Sequence, residues 1–168
     1  MIVDSSALLA IVLGESDAER FLDVMAAADS LAISASIVVE ATIAAESRGG
    51  PEAADDVQGL LAELEVEVIQ FDEEQARAAV TAWRRFGKGR HQASLNLGDT
   101  YSYALASVRG EPLLFKGNNF TATDVGAVLQ RSLVLHSLAV GQGSETASAD
   151  RVADEERGGV SRSRNGPQ

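Results

Sequence analysis

Short apolar runs alternate along this chain with longer segments that have the residue spacing of helices. The apolar runs predict four strands, and the first, second and fourth show little polar alternation, as expected for strands buried on both faces. These runs cover residues 2–3, 31–33, 66–69 and 112–115. The helical segments cover residues 5–13, 17–28, 36–48, 51–64, 72–86 and 99–109. Such alternation predicts an α/β fold, in which a mostly parallel sheet is covered by helices on both faces.

The length and the composition predict one domain followed by a tail. A chain of 168 residues that is 45% hydrophobic can bury one core of ordinary size, and we place that domain at residues 1–130. Residues 131–140 can add an edge strand to the sheet. Residues 141–168 are rich in Gly, Ser, Asp, Glu and Arg and contain almost no bulky apolar residue, so we expect them to be disordered.

Cysteine usage and the lengths of the apolar stretches indicate the compartment. The chain has no Cys, which excludes disulfides and thiolate zinc sites and suits a reducing cytosol. No stretch approaches the roughly 20 apolar residues that a membrane helix needs. The N-terminal segment lacks the basic flank of a signal peptide. We therefore expect a cytoplasmic protein with no membrane segment.

Three acidic residues occur in apolar surroundings, where an unpaired charge is costly. Asp4 follows the first predicted strand, Glu40 lies inside an aliphatic helix, and Asp99 opens another helix. Ligand sites of parallel sheets form at the carboxyl ends of the strands, so all three side chains can reach one edge. Clustered carboxylates repel one another unless a cation neutralises them, and the hard ions Mg2+ and Mn2+ suit carboxylate oxygens. The pattern therefore predicts a metal site of the kind that supports phosphodiester hydrolysis.

Each acid also has an ordinary structural interpretation. Asp4 and Asp99 can each act as an N-cap by accepting the free amides of a first helical turn. Glu40 does not lie where it could cap its helix, but it can join an ion pair across the core. Asp124 is expected to cap a helix, although it can also supply a charge near the other acids.

The charge of the chain is strongly acidic, with one local exception. The formal net charge is −11, and within residues 1–130 nine Lys and Arg face 20 Asp and Glu. A domain this acidic is not expected to bind nucleic acid through a broad phosphate-neutralising surface. If the substrate is a polyanion, it has to bind through a metal ion and a local basic strip. The basic strip consists of Arg84, Arg85, Lys88, Arg90 and His91, with Trp83 and Phe86 interleaved. It can be the solvated end of a helix, a phosphate-contacting rim beside Asp99, or both.

Four segments stand out in order along the chain: MIVDSSALLAIVLGE, SASIVVEATI, LNLGDTYSYALA and PLLFKGNNFTATDV. They resemble the four ordered signatures of VapC-type PIN-domain ribonucleases, the toxins of bacterial toxin–antitoxin pairs. The resemblance covers about residues 1–130 and leaves the tail outside. It implies a three-layer α/β/α sandwich whose mostly parallel sheet has four to five strands. It also implies an endoribonuclease that hydrolyses phosphodiester bonds in cellular RNA, such as tRNA or ribosomal RNA.

The resemblance implies roles for individual residues. Asp4, Glu40 and Asp99 match the acids that hold Mg2+ or Mn2+ and position the attacking water, and Ser6 matches a hydroxyl residue that orders the site. Asn119, in GNNF, stands where the family commonly has a fourth acid. Because asparagine keeps an oxygen ligand but loses a charge, we expect weaker metal binding and slower cleavage, with Asn119 orienting substrate or water. Candidate RNA contacts are Ser6, Arg84, Arg85, Lys88 and Arg90.

The resemblance further implies protein partners. Proteins of this family form homodimers and are inhibited by a VapB-like antitoxin, whose tail enters the acidic cleft of the resulting hetero-oligomer. The acidic body of this chain suits a basic antitoxin segment. Two other functions stay open. One is a PIN domain weakened by Asn119 that only binds RNA or antitoxin as a regulator, and the other is a phosphoacceptor signalling domain, although Asp4-Ser5-Ser6 lacks its paired acids.

Overall fold

A computed structural model of the chain describes residues 1–129, which contain a four-stranded parallel sheet. The strands are β1 (Ile2–Val3), β2 (Ala32–Ser34), β3 (Glu67–Ile69) and β4 (Leu113–Leu114), in the order β3-β2-β1-β4. In the central strand, Ile2 pairs with Ala32 of β2 and with Leu113 of β4. The expected edge strand at 131–140 and the expected disorder at 141–168 lie outside the described residues.

The helices of residues 1–129 lie where the sequence predicted them, with bounds shifted by one or two residues at most. They are α1 (Ser5–Val12), α2 (Ala18–Ala26), α3 (Ala35–Gly49), α4 (Pro51–Glu63), α5 (Glu73–Phe86) and α6 (Leu97–Arg109). The break between α3 and α4 has a local cause, because Gly50 has a φ of 83° and Pro51 then supplies a first helical residue. No helix in this part of the chain is long and apolar enough to cross a membrane.

Successive strand residues face opposite sides of the sheet, and each side has its own core. Ile2 and Leu113 pack into a hydrophobic cluster with residues of α5 and α6. Their neighbours Val3 and Leu114 pack into a second cluster with residues of α1, α2, α3 and α4. The sheet therefore lies between two helical layers, which confirms the predicted three-layer α/β/α sandwich.

The two edges of the sheet differ. β3 forms one edge, and its adjacent residues Glu67 and Val68, which face opposite sides of the sheet, are both exposed. At the opposite edge, Leu113 of β4 forms an isolated parallel bridge with Ala127 and donates its N–H to the carbonyl of Gly126 at 2.7 Å. The outer side of β4 is therefore partly paired within the described residues.

The carboxyl ends of the strands meet at one side of the molecule because all four strands run in the same direction. α1 begins one residue after β1, and α3 begins directly after β2. The loop after β4 reaches the same side, where the backbone N–H of Asp4 donates to the carbonyl of Leu114 at 2.9 Å. This is the edge at which ligands of open parallel sheets collect.

Candidate active site

Asp4 is the N-cap residue of α1, and both of its carboxylate oxygens are engaged. Its Oδ2 accepts hydrogen bonds from the backbone N–H of Ser6 at 2.9 Å and from the Ser6 hydroxyl at 2.6 Å. Its Oδ1 accepts a hydrogen bond from the hydroxyl of Ser102, in α6, at 2.6 Å. Only 3% of the residue is exposed. Asp4 therefore caps α1, as the structural interpretation predicted. Its carboxylate is at the same time buried and held in place at the edge of the sheet.

Ser6 links Asp4 to the loop that follows β4. Its hydroxyl donates to Asp4 and accepts from the backbone N–H of Lys116 at 2.9 Å. The Lys116 ammonium in turn donates to Glu15 at 2.6 Å and to Asp17 at 2.5 Å, both in the loop between α1 and α2. The loop after β4 is thus tied to the start of α1 and to the loop at its end.

Asp99 occupies the third position of α6 rather than its N-cap, which corrects the capping interpretation. Asn96 is the N-cap, because its Oδ1 accepts the N–H of Asp99 at 2.9 Å while Oδ2 of Asp99 accepts the N–H of Asn96 at 2.8 Å. This capping box starts the helix at Leu97 instead of residue 99. The same Oδ2 also accepts the amide N–H of Asn119 at 3.1 Å. The residue is 8% exposed, and two N–H donors orient its carboxylate.

Glu40 lies in α3 and places its carboxylate against Gly98 of α6. A Cβ atom at position 98 would overlap both carboxylate oxygens, so the Glu40 carboxylate can occupy this position only because residue 98 is glycine. The hydrogen bond that Glu40 accepts from the Ser5 hydroxyl is long, at 3.4 Å. Within residues 1–129 Glu40 forms no salt bridge, so the alternative of an ion pair across the core is not found there.

The three carboxylates act on one another electrostatically. Burial raises the pKa of Glu40 above its ordinary value, and the negative charges of Asp4 and Asp99 raise it further. Burial is also the main cause that raises the pKa of Asp99, to which the charge of Asp4 adds, while hydrogen bonds from Asn96 and Asn119 act in the opposite direction. None of the three acids forms a salt bridge with a cation of the described chain. The site therefore holds several negative charges that no cationic side chain in residues 1–129 neutralises.

The donor set fits a hard divalent ion by charge and by chemistry. Three carboxylates and the carbonyl oxygen of an amide, that of Asn119, are ligands that Mg2+ and Mn2+ accept. Within residues 1–129 no group of three or more His, Cys, Asp or Glu side chains is already spaced as a finished metal site. Both oxygens of Asp4 and Oδ2 of Asp99 are engaged instead by hydroxyl and N–H donors. Glu40 accepts only one hydrogen bond, which is long, so it is the acid least restrained by hydrogen bonds.

Asp124 does not join the other acids. Its two oxygens accept hydrogen bonds from the hydroxyl of Tyr103 at 2.6 Å and from Arg85 at 2.8 Å. These partners lower the pKa of Asp124, whereas burial and then the bond to Asp124 raise the pKa of Tyr103 to about 12. Asp124 caps none of α1–α6, so the expectation of a helix cap is wrong. It fastens the loop after β4 to α5 and α6.

The basic strip surrounds the C-terminal end of α5, where cations complement the helix dipole, as the solvated-end interpretation predicts. Arg84 and Arg85 lie in the last turn, and Gly87 is the C-cap. Arg85 pairs with Asp124, whereas Arg84 and Lys88 form no salt bridge in the part of the chain that the structure describes. Contact of the strip with RNA stays a prediction.

Two residues of the site escaped the sequence analysis. Ser102 is 1% exposed and donates to Asp4, and Gly98 provides the space that Glu40 occupies. A signal for Ser102 exists, because it lies three residues after Asp99 and thus on a neighbouring part of the same helical face. The role of Gly98 has no local signature, since it depends on the approach of a second helix.

This chain is similar in sequence and in fold to known proteins. Residues 1–126 match the family model of the PIN domain. Ribonuclease VapC of Mycolicibacterium smegmatis is 45% identical over 128 residues, which cover 76% of this chain and 99% of that protein. The crystal structure of Mycobacterium tuberculosis VapC20, a sarcin-ricin loop cleaving toxin, superposes with a TM-score of 0.65 at 17% identity, covering 76% of this chain and 97% of that one. A toxin–antitoxin complex from Klebsiella pneumoniae superposes with a TM-score of 0.56 at 19% identity, covering 76% of this chain and 94% of that one.

Proposed function

This chain belongs to the VapC-type PIN-domain ribonuclease toxins, and from that premise we propose that it is a cytoplasmic endoribonuclease that depends on a divalent metal ion. Asp4, Glu40 and Asp99 hold Mg2+ or Mn2+, and the bond that is hydrolysed is a phosphodiester bond of cellular RNA. The observation that carries this proposal is the meeting of three carboxylates at the carboxyl edge of the sheet, without a cationic partner in residues 1–129.

The residues around the acids hold them in place for this chemistry. When bound, the ion stabilises charge on a phosphoryl oxygen and lowers the pKa of the attacking water. Ser6 and Ser102 fix both oxygens of Asp4, so that this ligand keeps its position as the charge distribution changes. The capping box fixes Asp99 in the same way. Glu40, which hydrogen bonds restrain least, orients the water.

The hydrogen bond that Asn119 makes favours an active nuclease over a regulator that only binds RNA. Its amide N–H donates to Asp99 at 3.1 Å, and this bond favours the charged form of the carboxylate by lowering the pKa of Asp99. An aspartate at position 119 would instead face Asp99 with a like charge. We propose that Asn119 orients Asp99 and, from its exposed position, also contacts substrate or water.

The proposed partner is a VapB-like antitoxin, with which the protein forms a hetero-oligomer in addition to its own homodimer. Two observations support this proposal. The similar structure from Klebsiella pneumoniae is a toxin–antitoxin complex. Residues 1–130 carry 20 acidic against nine basic side chains, which favours association with a basic segment.

Cleavage of cellular RNA by matched variants tests the proposal. We expect the wild type to cut with Mg2+ or Mn2+ and to stop cutting in a chelator. Asp4→Asn keeps the size of the side chain but removes its charge, and it should lower the cleavage rate by roughly 10²-fold or more. Asp56→Asn, an exposed site in α4, is the control and should cut like the wild type. Sequencing of the 5′ ends of the fragments identifies the bond that is cut.

Two outcomes of this experiment would contradict the proposal. Cleavage that persists in a chelator would remove the metal from the mechanism. If the wild type cuts no RNA with any divalent ion and Asn119→Asp restores cutting, the protein is a regulator that has lost its nuclease activity.

A further inference from the structure

The loop after β4 contacts two of the three acids through different groups. The backbone N–H of Lys116 donates to the Ser6 hydroxyl at 2.9 Å, and that hydroxyl donates to Asp4 at 2.6 Å. Three residues later, the amide of Asn119 donates to Asp99 at 3.1 Å. The position of this loop therefore affects the orientation of both carboxylates.

Ser6 orients Asp4 only while its hydroxyl hydrogen points at the carboxylate. A serine hydroxyl has one hydrogen to donate, and this hydrogen rotates to suit the partners of the oxygen. Because the N–H of Lys116 donates to the Ser6 oxygen, the hydrogen of this hydroxyl is directed to Oδ2 of Asp4. Hydrogen bonds in such a chain strengthen one another. The backbone amide of residue 116 therefore helps to fix the donor that holds Asp4.

The side chain of Lys116 ties the same residue to the loop between α1 and α2. Its ammonium donates to Glu15 at 2.6 Å and to Asp17 at 2.5 Å. Asp17 stands at the N-cap position of α2, yet its side chain makes no capping hydrogen bond. A carboxylate at an N-cap usually accepts the free amides of the first turn, so the bond to Lys116 takes the place of a stabilising contact. Lys116 is thus held at its main chain by Ser6 and at its side chain by two acids.

The charges around Lys116 argue against a contact with the phosphates of RNA. Glu15 also pairs with Arg48, at 2.8 Å. The resulting cluster has two positive and two negative side chains, which are Lys116, Arg48, Glu15 and Asp17. A cluster without net charge attracts a polyanion only weakly. This arrangement fits a role in holding the loops better than a role in binding substrate.

We propose that Lys116 is a positioning residue of the active site, which holds Asp4 in its metal-binding orientation by way of Ser6. Glu15 and Asp17 fix its ammonium, and its backbone N–H fixes the Ser6 hydroxyl. Lys116 itself contacts neither the metal nor the RNA. The proposal rests on the proposed function, in which Asp4 is a metal ligand.

Exchange of the residue 116 amide with solvent tests the first link without metal or RNA. This amide is hydrogen bonded to Ser6, so NMR should show slow exchange in the wild type. Lys116→Met keeps the length of the side chain but removes its charge, and Ser6→Ala removes the acceptor. Each should speed up exchange at residue 116 roughly tenfold. The amide of Ala32, which donates to the carbonyl of Met1 inside the sheet, should exchange as in the wild type.

Calorimetric titration with Mn2+ tests the second link, from Ser6 to Asp4. Lys116→Met should weaken Mn2+ binding roughly tenfold, at the low end for groups that orient metal ligands. In a Ser6→Ala background the same substitution should change the affinity by less than about twofold, because its path to Asp4 is already broken. Lys116→Arg keeps a charged donor and should recover most of the affinity. Arg48→Met is the matched control, because Arg48 pairs with the same Glu15 from α3. It should bind Mn2+ like the wild type.

Cleavage of a short RNA separates positioning from substrate contact. The Mn2+ concentration is set to the dissociation constant of the wild type. Under this condition a tenfold weaker Mn2+ affinity should lower the apparent kcat of Lys116→Met about fivefold and leave KM unchanged. A higher KM with an unchanged kcat, together with a weaker dependence on salt, would show that Lys116 contacts the phosphates and would overturn the proposal.

The possible results distinguish this proposal from the proposed function. If the wild type cuts RNA but Lys116→Met matches it in amide exchange and in Mn2+ affinity, the positioning role is wrong and the nuclease stands. If Lys116→Met speeds up exchange and weakens Mn2+ binding while the wild type cuts no RNA with any ion, the positioning role stands and the nuclease does not. Additive losses in the Ser6→Ala background would also overturn the positioning role. A wild type that binds no divalent ion would overturn both.

Discussion

Asp4 and Glu40 lie at the same edge of the sheet but are held by different forces. The Asp4 corner consists of Asp4, Ser6 and Ser102, in which hydroxyl and amide donors satisfy both oxygens of the carboxylate. The Glu40 corner consists of Glu40 and Gly98, in which one long hydrogen bond adds little and the close approach of two helices confines the carboxylate. The Asp4 corner should therefore be sensitive to the loss of a hydrogen-bond donor, and the Glu40 corner to added side-chain volume.

Gly98→Ala should have the largest effect and should act on the Glu40 corner alone. The new methyl group overlaps the Glu40 carboxylate, which lies at the end of a flexible side chain and can turn away at low cost. Alanine also favours the helix over glycine by about 1 kcal/mol. We expect an unchanged or slightly higher free energy of unfolding, together with Mn2+ affinity reduced roughly 10- to 100-fold. Calorimetric titration with Mn2+ measures the affinity.

Gly59→Ala is the matched control for this prediction. Gly59 lies in α4, and a Cβ atom there meets open space. It should gain the same helical stability and keep the Mn2+ affinity of the wild type. Equal Mn2+ affinity of Gly98→Ala and wild type would show that packing does not position Glu40.

Ser102→Ala tests the Asp4 corner. Removing the hydroxyl leaves Oδ1 of Asp4 buried without its donor, which should lower the free energy of unfolding by about 1–3 kcal/mol. Urea denaturation measures the change. Ser47→Ala is the control, because the Ser47 hydroxyl is exposed and donates only to the carbonyl of Ile43. If both variants unfold at the same urea concentration as the wild type, the hydrogen bond to Asp4 contributes no stability.

The stability of the metal-free protein should depend on pH through Glu40. Because burial and the neighbouring charges raise the pKa of Glu40, the folded state binds the proton more tightly than the unfolded state does. Stability should therefore rise as the pH falls from 7 toward values just above the ordinary glutamate pKa of 4.5. Glu40→Gln should raise the melting temperature at pH 7 in a chelator and flatten this dependence.

Thermal melts in a chelator, and then in Mn2+, measure these effects. Glu46→Gln, at an exposed position of the same helix, should keep the pH dependence of the wild type. Mn2+ should raise the melting temperature of the wild type more than that of Glu40→Gln. A Glu40→Gln protein that melts below the wild type at pH 7 in a chelator would contradict the repulsion among the acids.

Arg85→Gln should have the smallest effect of these substitutions on the free energy of unfolding. Both side chains of the Arg85–Asp124 pair are about half exposed, at 52% and 51%, so water screens their attraction. We expect a change in the free energy of unfolding within about 0.5 kcal/mol. A loss comparable to that of Ser102→Ala would mean that the loop after β4 depends on this exposed pair.

Most of the fold followed from local patterns in the sequence. The apolar runs before Asp4 and around Ile33 predicted buried strands, and the helical segments 36–48 and 51–64 predicted the break that lies at Gly50. The start of α6 was misplaced because Asn96, rather than Asp99, supplies the cap. Asp124 was misinterpreted because its partners, Tyr103 and Arg85, come from other elements.

The sequence alone determined which acids face the carboxyl edge, because strand direction and helix periodicity are local properties that place Asp4 and Asp99 at the ends of their elements. Only the tertiary structure decided how these acids are held. Ser102 reaches Asp4 across 98 residues of chain, and Glu40 meets a glycine of another helix. Such contacts depend on how closely two helices approach, which is set by the packing of the whole layer and leaves no periodic signal in either segment.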